Sequence, residues 1–138
     1  MAARADDRAV SGPLPIPLPD ERARALAEEW VAAWNSHDLD AIMALYAPGV
    51  VFQTPTIIDT LGIADGRVAG AERLREHFGR GLERLPDLRF DLDGVYAGVT
   101  SLAMTYRWAD GTPVCELHSY DEDGLIGCVQ ALYSGLSW

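Results

Sequence analysis

The chain has 138 residues, enough for one domain that hides perhaps two-thirds of its unfolded surface. Its composition, with 49% apolar and 23% charged residues, is that of an ordinary globular protein, and its formal charge is −10. All eleven basic residues are arginine, so lysine Schiff-base chemistry and a phosphate-gripping P-loop lysine are excluded. The acidic balance argues against nucleic acid or an anionic membrane as partner. Arginine without lysine fits GC-rich, bacterial coding. No apolar run approaches the length of a membrane span, and the polar start MAARADDRAV is no signal peptide, so a cytoplasmic location is expected. Cys115 and Cys128 with three scattered histidines form no zinc pattern. Neither a metal nor a cofactor is expected.

Residues 1–19 read as a proline-rich flexible tail, and residues 20–138 as a single domain. Pro13, Pro15, Pro17 and Pro19 favour a polyproline II arm, free or laid across the domain or a neighbour. The spacing of Ala23, Leu26, Ala27, Trp30, Val31 and Trp34 predicts a helix over 20–35, with Asp20 as its cap. A second helix follows from the Asp38 cap, carrying Leu39, Ile42, Met43, Leu45 and Tyr46, and Pro48-Gly49 ends it. Residues 50–54 read as a strand stopped by Pro55. Residues 56–70 read as irregular, either a lid or a surface loop. A third helix spans 71–85, with Leu74, Phe78, Leu82 and Leu85 on one face. Strands follow at 87–96, 101–108, 113–120 and 125–133, with turns at Asp110-Gly111 and Asp121–Gly124. Three helices and then antiparallel strands make an α+β domain.

Hairpin arithmetic pairs Glu116 with Thr105 across the first turn and with Val129 across the second. Alternation then collects Thr105, Arg107, Glu116, His118, Val129, Ala131 and Tyr133 on one face of the sheet. Met104, Tyr106, Trp108, Cys115, Leu117, Cys128 and Leu132 fall on the other. A carboxyl, an imidazole and a guanidinium on one half-buried face make an acid/base set, so Glu116, His118 and Arg107 are the candidate catalytic residues. The opposite reading leaves these three in water, with the apolar face packed on the helices. His37 reads as a surface or capping residue and His77 as solvent-facing. The two cysteines are placed diagonally, too far apart for a disulfide.

The run from Trp30 to Asp40, then Leu45-Tyr46-Ala47-Pro48, Val51-Phe52 with Pro55, residues 70–78 and residues 121–126 resembles the nuclear transport factor 2-like superfamily. That group includes ketosteroid isomerase, SnoaL-like polyketide cyclases, limonene epoxide hydrolase and scytalone dehydratase. The resemblance implies a cone: a curved antiparallel sheet with three helices packed on its concave face around one pocket. It puts the polar face inside and implies a homodimer through the outer face. It also implies a small apolar ligand, bound by Trp30, Trp34, Phe52, Thr54, Val129 and Tyr133. Thr54 stands where ketosteroid isomerase has its aspartate base, and Glu116 where it has a protonated aspartate. Threonine takes no proton at neutral pH, so that isomerase mechanism is not carried over. The carboxylate–arginine–carboxylate set of limonene epoxide hydrolase is not reproduced either. Two functions follow: a cofactor-free proton-transfer enzyme of isomerase, cyclase or dehydratase type, or a binding module without chemistry.

Overall fold

The structure is a computed structural model that describes residues 12–136. Its first helix, α1 (Asp20–Ser36), buries Ala23, Leu26, Ala27, Trp30 and Trp34. Pro19, not Asp20, occupies the cap position; Asp20 and Glu21 sit in the first turn, where the helix dipole favours negative charge. His37 closes α1 in the left-handed conformation (φ 60°) and its Nε2 lies 2.7 Å from the Leu88 carbonyl oxygen. Asp38 caps α2 (Leu39–Met43), accepting from the amides of Asp40 and Ala41. This helix is shorter than the apolar spacing suggests, because strand β1 (Tyr46–Gln53) already starts at Tyr46.

The segment expected to be irregular folds into helix α3 (Pro55–Leu61) and strand β2 (Arg67–Ala69). Thr54 caps α3 through Thr56 N–H, with Pro55 at the first helical position where its missing N–H costs nothing. Gly66 (φ 65°) is required here: a Cβ would lie 2.5 Å from the Thr54 carbonyl oxygen. Helix α4 (Ala71–Arg84) completes the helices. Strands β3 (Phe90–Ala97), β4 (Ser101–Trp108), β5 (Pro113–Tyr120) and β6 (Ile126–Tyr133) follow.

The six strands form one sheet in the order β2-β1-β6-β5-β4-β3. All pairings are antiparallel except β1 with β6, which is parallel. The sheet is curved and unclosed. Helix α1 packs on β3, α4 on β1 and β2, and α3 on α4 and the end of β6. Their apolar stripes share one core with the inner sheet residues Val50, Phe52, Phe90, Met104, Tyr106 and Val129. No helix among the described residues is long and apolar enough to cross a membrane.

Residues 1–11 of the expected tail lie outside the described residues. Gly12, Leu14 and Leu18 lie against the body of the domain. Leu18 is buried and its N–H donates to the carbonyls of Gly98 and Val99. The Gly12 carbonyl rests so close on Gly124 that a Cβ there would meet it at 2.0 Å. The Asp121 carboxylate accepts from the amides of Asp123 and Leu125, which makes the acidic run a hydrogen-bonded turn.

Candidate functional site

The hairpin between β4 and β5 decides which side chains meet. Gly111 N–H donates to Trp108 O and Trp108 N–H to Thr112 O, so the loop is wider than a two-residue turn at Asp110-Gly111. Glu116 therefore pairs with Met104, and Thr105 with Cys115. A one-residue slip moves every side chain of a strand to the other face. Met104, Tyr106 and Trp108 thus join Glu116 and His118 inside, while Thr105 and Arg107 lie outside. The expected neighbourhood of Arg107 and Glu116 is overturned. The Arg107 side chain is 54% exposed, lies 3.3 Å from Asp93 and donates to Gly111 O. Between β5 and β6 the pairing moves by two residues, with Glu116 opposite Ala131 and His118 opposite Val129. An even shift preserves the face. Cys115 and Cys128 are both free; Cys128 stands opposite Ser119, four positions along β5 from Cys115.

A cavity of about 200 Å³ opens between the inner sheet face and helices α1, α3 and α4. Trp30, Trp34, Phe52, Phe78, Phe90 and Trp108 give it aromatic walls. Thr54, Tyr133 and Ala131 also line it. Val129 does not: it is buried on the same face of β6 but lies within the core. Arg84 and Asp59, both exposed, stand on the lining from α4 and α3.

Glu116 is the one buried carboxylate among the described residues and it faces the cavity. Tyr106 Oη donates to its Oε2 at 2.5 Å, and His118 Nε2 lies 2.9 Å from its Oε1. His118 is fully buried behind Glu116 rather than on the cavity wall, and its Nδ1 has no partner. A proton on Nε2 donated to Glu116 leaves Nδ1 a bare acceptor, which is the cheaper arrangement for a buried imidazole. Trp30 lies against His118, with ring centroids 5.5 Å apart, and its Nε1–H donates to Tyr46 Oη at 2.9 Å. Burial, and then the Glu116 charge, push the hydroxyls of Tyr46, Tyr106 and Tyr133 well above the usual tyrosine pKa. All three remain neutral donors at physiological pH. The Trp108 indole N–H, also on the cavity wall, is buried without an acceptor.

A second polar group comes from the helices. His77, expected at the surface, is only 6% exposed and lines the cavity. Its Nδ1 lies 2.6 Å from Thr60 Oγ1 and its Nε2 3.4 Å from Thr56 Oγ1. Burial lowers its pKa to about 4. Thr56 Oγ1 is 3.2 Å from Thr54 Oγ1, and the Tyr133 hydroxyl interacts with both threonines. The signal for His77 was present: positions 74, 77, 78 and 81 follow the spacing of one helix face. Tyr106 had no comparable signal, since its face depends on the hairpin register.

A curved, unclosed sheet wrapped with helices around an aromatic cavity defines the nuclear transport factor 2-like class of α+β cones. Residues 27–126 match the SnoaL-like domain family. The chain belongs to that family. Among solved structures, it is similar to a SnoaL-like protein of unknown function from Burkholderia thailandensis (35% identity, TM-score 0.82) over 86% of this chain and 99% of the other. An NTF2-like protein of unknown function from Cytophaga hutchinsonii shares the fold at 14% identity (TM-score 0.63), over 81% of this chain and 89% of that one. A proposed isomerase of the SnoaL-like family from Agrobacterium tumefaciens does so at 18% identity (TM-score 0.66), over 82% and 97%. No curated protein matches the chain at a significant level.

Proposed function

We propose that the protein is a cofactor-free proton-transfer enzyme of isomerase, cyclase or dehydratase type, acting on a small apolar metabolite in the cytoplasm. The observation that carries this reading is Glu116: a carboxylate at the wall of an aromatic cavity, with each oxygen held by one buried donor. A carboxylate has about four lone-pair sites, so two remain for a substrate proton. Glu116 is the catalytic residue of this reading; His118 and Tyr106 position it. Tyr133 is the neutral donor for oxygen charge that develops as a proton leaves the adjacent carbon.

Exchange of the α-protons of 2-tetralone in D2O, followed by NMR, tests this directly. The Glu116 carboxylate takes the α-proton, the C–H electron pair moves into the enolate, and the carboxyl returns a deuteron after exchange with solvent. The wild type should accelerate exchange over buffer, and Glu116→Gln should lose about 100-fold or more of that acceleration. Equal exchange by both proteins, or none above buffer, removes the reading. The second function, a binding module, is favoured by the same two bonds, because a purely structural buried carboxylate is satisfied in this way too. Ligand retention without exchange would select it.

The reading includes a homodimer built on the outer sheet face. Tyr96, Leu117 and Leu132 are 65%, 41% and 48% exposed there. Pairing of Tyr96 with Ala103, and of Ala103 with Leu117, puts the first two in one cross-strand row. An exposed apolar patch of this kind favours a partner surface. Light scattering on a size-exclusion column should give twice the 15.0 kDa chain mass; the chain mass itself would exclude the dimer.

A further inference from the structure

The cavity has two polar ends of different chemistry. The sheet contributes Glu116 with Tyr106. The helices contribute His77 of α4 with Thr56 and Thr60 of α3, joined through Thr54 to Tyr133. The imidazole and the three threonine hydroxyls of the second end carry no charge. Burial keeps the imidazole neutral down to about pH 4, and the charged lining residues of α3 and α4, Asp59 and Arg84, are exposed. Arg80 donates to the Thr60 carbonyl and pairs with Glu76 on the exposed side of α4. The two ring nitrogens of His77 are unequal. Nδ1 is tightly held at 2.6 Å, whereas 3.4 Å from Nε2 to Thr56 is beyond an ordinary hydrogen bond. A buried polar atom with a weak partner, set in an aromatic cavity, is better satisfied by a ligand atom.

We infer that His77 Nε2 and Thr56 Oγ1 form a docking point for an uncharged hydroxyl group on the substrate, placing the substrates among neutral hydroxylated ring compounds rather than carboxylates. A hydroxyl both donates and accepts, so it suits either tautomer of a neutral imidazole. A carboxylate would share the cavity with Glu116, and the one guanidinium on the lining, Arg84, is exposed and stands seven residues along α4 from His77. The inference rests on reading the cavity as the substrate pocket, and it adds which end of the substrate each polar group receives.

Three probes of similar size separate the possibilities: 2-naphthol, 2-methylnaphthalene and 2-naphthoate, titrated against quenching of the tryptophan fluorescence. Trp30, Trp34 and Trp108 line the cavity, so occupancy is read directly. The wild type should bind 2-naphthol about tenfold more tightly than 2-methylnaphthalene, the size of one hydrogen bond to a buried group, and 2-naphthoate at least tenfold more weakly than 2-naphthol. His77→Phe should remove the preference for naphthol while still binding 2-methylnaphthalene. Thr56→Val, which keeps the volume and removes the hydroxyl, should reduce the preference in the same direction if the histidine variant fails to fold. No binding of 2-naphthol, equal binding of 2-naphthol and 2-methylnaphthalene, binding of 2-naphthoate as tight as 2-naphthol, or a preference that survives in both variants overturns the inference. Tetralone exchange is scored separately. A naphthol preference that depends on His77, with no exchange, sinks only the Glu116 chemistry; exchange without the preference sinks only the docking point.

Discussion

The two faces of the sheet carry similar residue types and have opposite fates. The inner face holds Met104, Tyr106, Glu116 and His118, all at most 4% exposed. The outer face holds Thr105, Arg107, Leu117 and Leu132. Each face has a charged residue and large apolar ones, so composition does not distinguish them. What distinguishes them is the company of the helices. The inner carboxylate must find donors in a dry environment and does so from Tyr106 and His118. The outer guanidinium keeps its water and needs little from Asp93. A charge on a strand gains chemical meaning from burial and from what shares that burial.

Four measurements test the contrast between the faces. Met104→Ala removes a fully buried side chain from the inner face and should cost about 2–5 kcal/mol in denaturant unfolding. A loss below about 0.5 kcal/mol would restore the register that puts Met104 outside. Next comes the pH dependence of His77. Its pKa falls from 6.5 unfolded to about 4 folded. Between these values the unfolded chain binds a proton that the folded chain refuses. Stability should therefore fall as pH drops from about 6.5 to 4 and level off below, a loss of roughly 3 kcal/mol from this group. Other groups titrate in this window as well, so the difference between wild type and His77→Gln is the quantity to follow. Parallel curves for the two proteins would show that His77 is not held neutral.

Tyr106→Phe keeps the ring and removes the donor to Glu116 Oε2. Leaving that oxygen unpaired should cost about 1–3 kcal/mol and slow tetralone exchange. An unchanged stability and rate would mean that Tyr106 does not hold the carboxylate. Arg107→Ala should be the mildest. An exposed pair is worth up to about 1 kcal/mol at most, and no change in exchange rate is expected. A large loss of exchange there would return Arg107 to the site.

The sequence showed much of the fold because local signals agreed with the tertiary outcome. The α1 stripe from Ala23 to Trp34, the Asp38 cap and the four later strands all lie close to where periodicity puts them. Helix α3 carries local signals too, Thr54-Pro55 before Ile57 and Leu61 and Gly62 after, although residues 56–70 lack the longer apolar period of the other helices. Alternation places Glu116 with His118 on β5 and Ala131 with Tyr133 on β6, and the two pairs share a face because the pairing differs from the expected one by an even number of residues. The cavity wall is less legible. Val129 shares that face yet ends in the core, since which inner residue meets empty space depends on where the helices sit.

What the sequence determined by itself was therefore anything set within one element: helix stripes, caps and the alternation of a single strand. It also carried enough of the SnoaL-like pattern to announce the cone. Only the tertiary structure decided relations between elements. The β4–β5 loop set a register that exchanged Arg107 for Tyr106 beside Glu116. The packing of α4 against β1 and α3 turned His77 from a surface position into the second polar end of the cavity. The physical reason is the same in both cases. Alternation and helical period fix directions relative to one backbone, but burial is a property of two surfaces, and a single-residue slip between them reverses it.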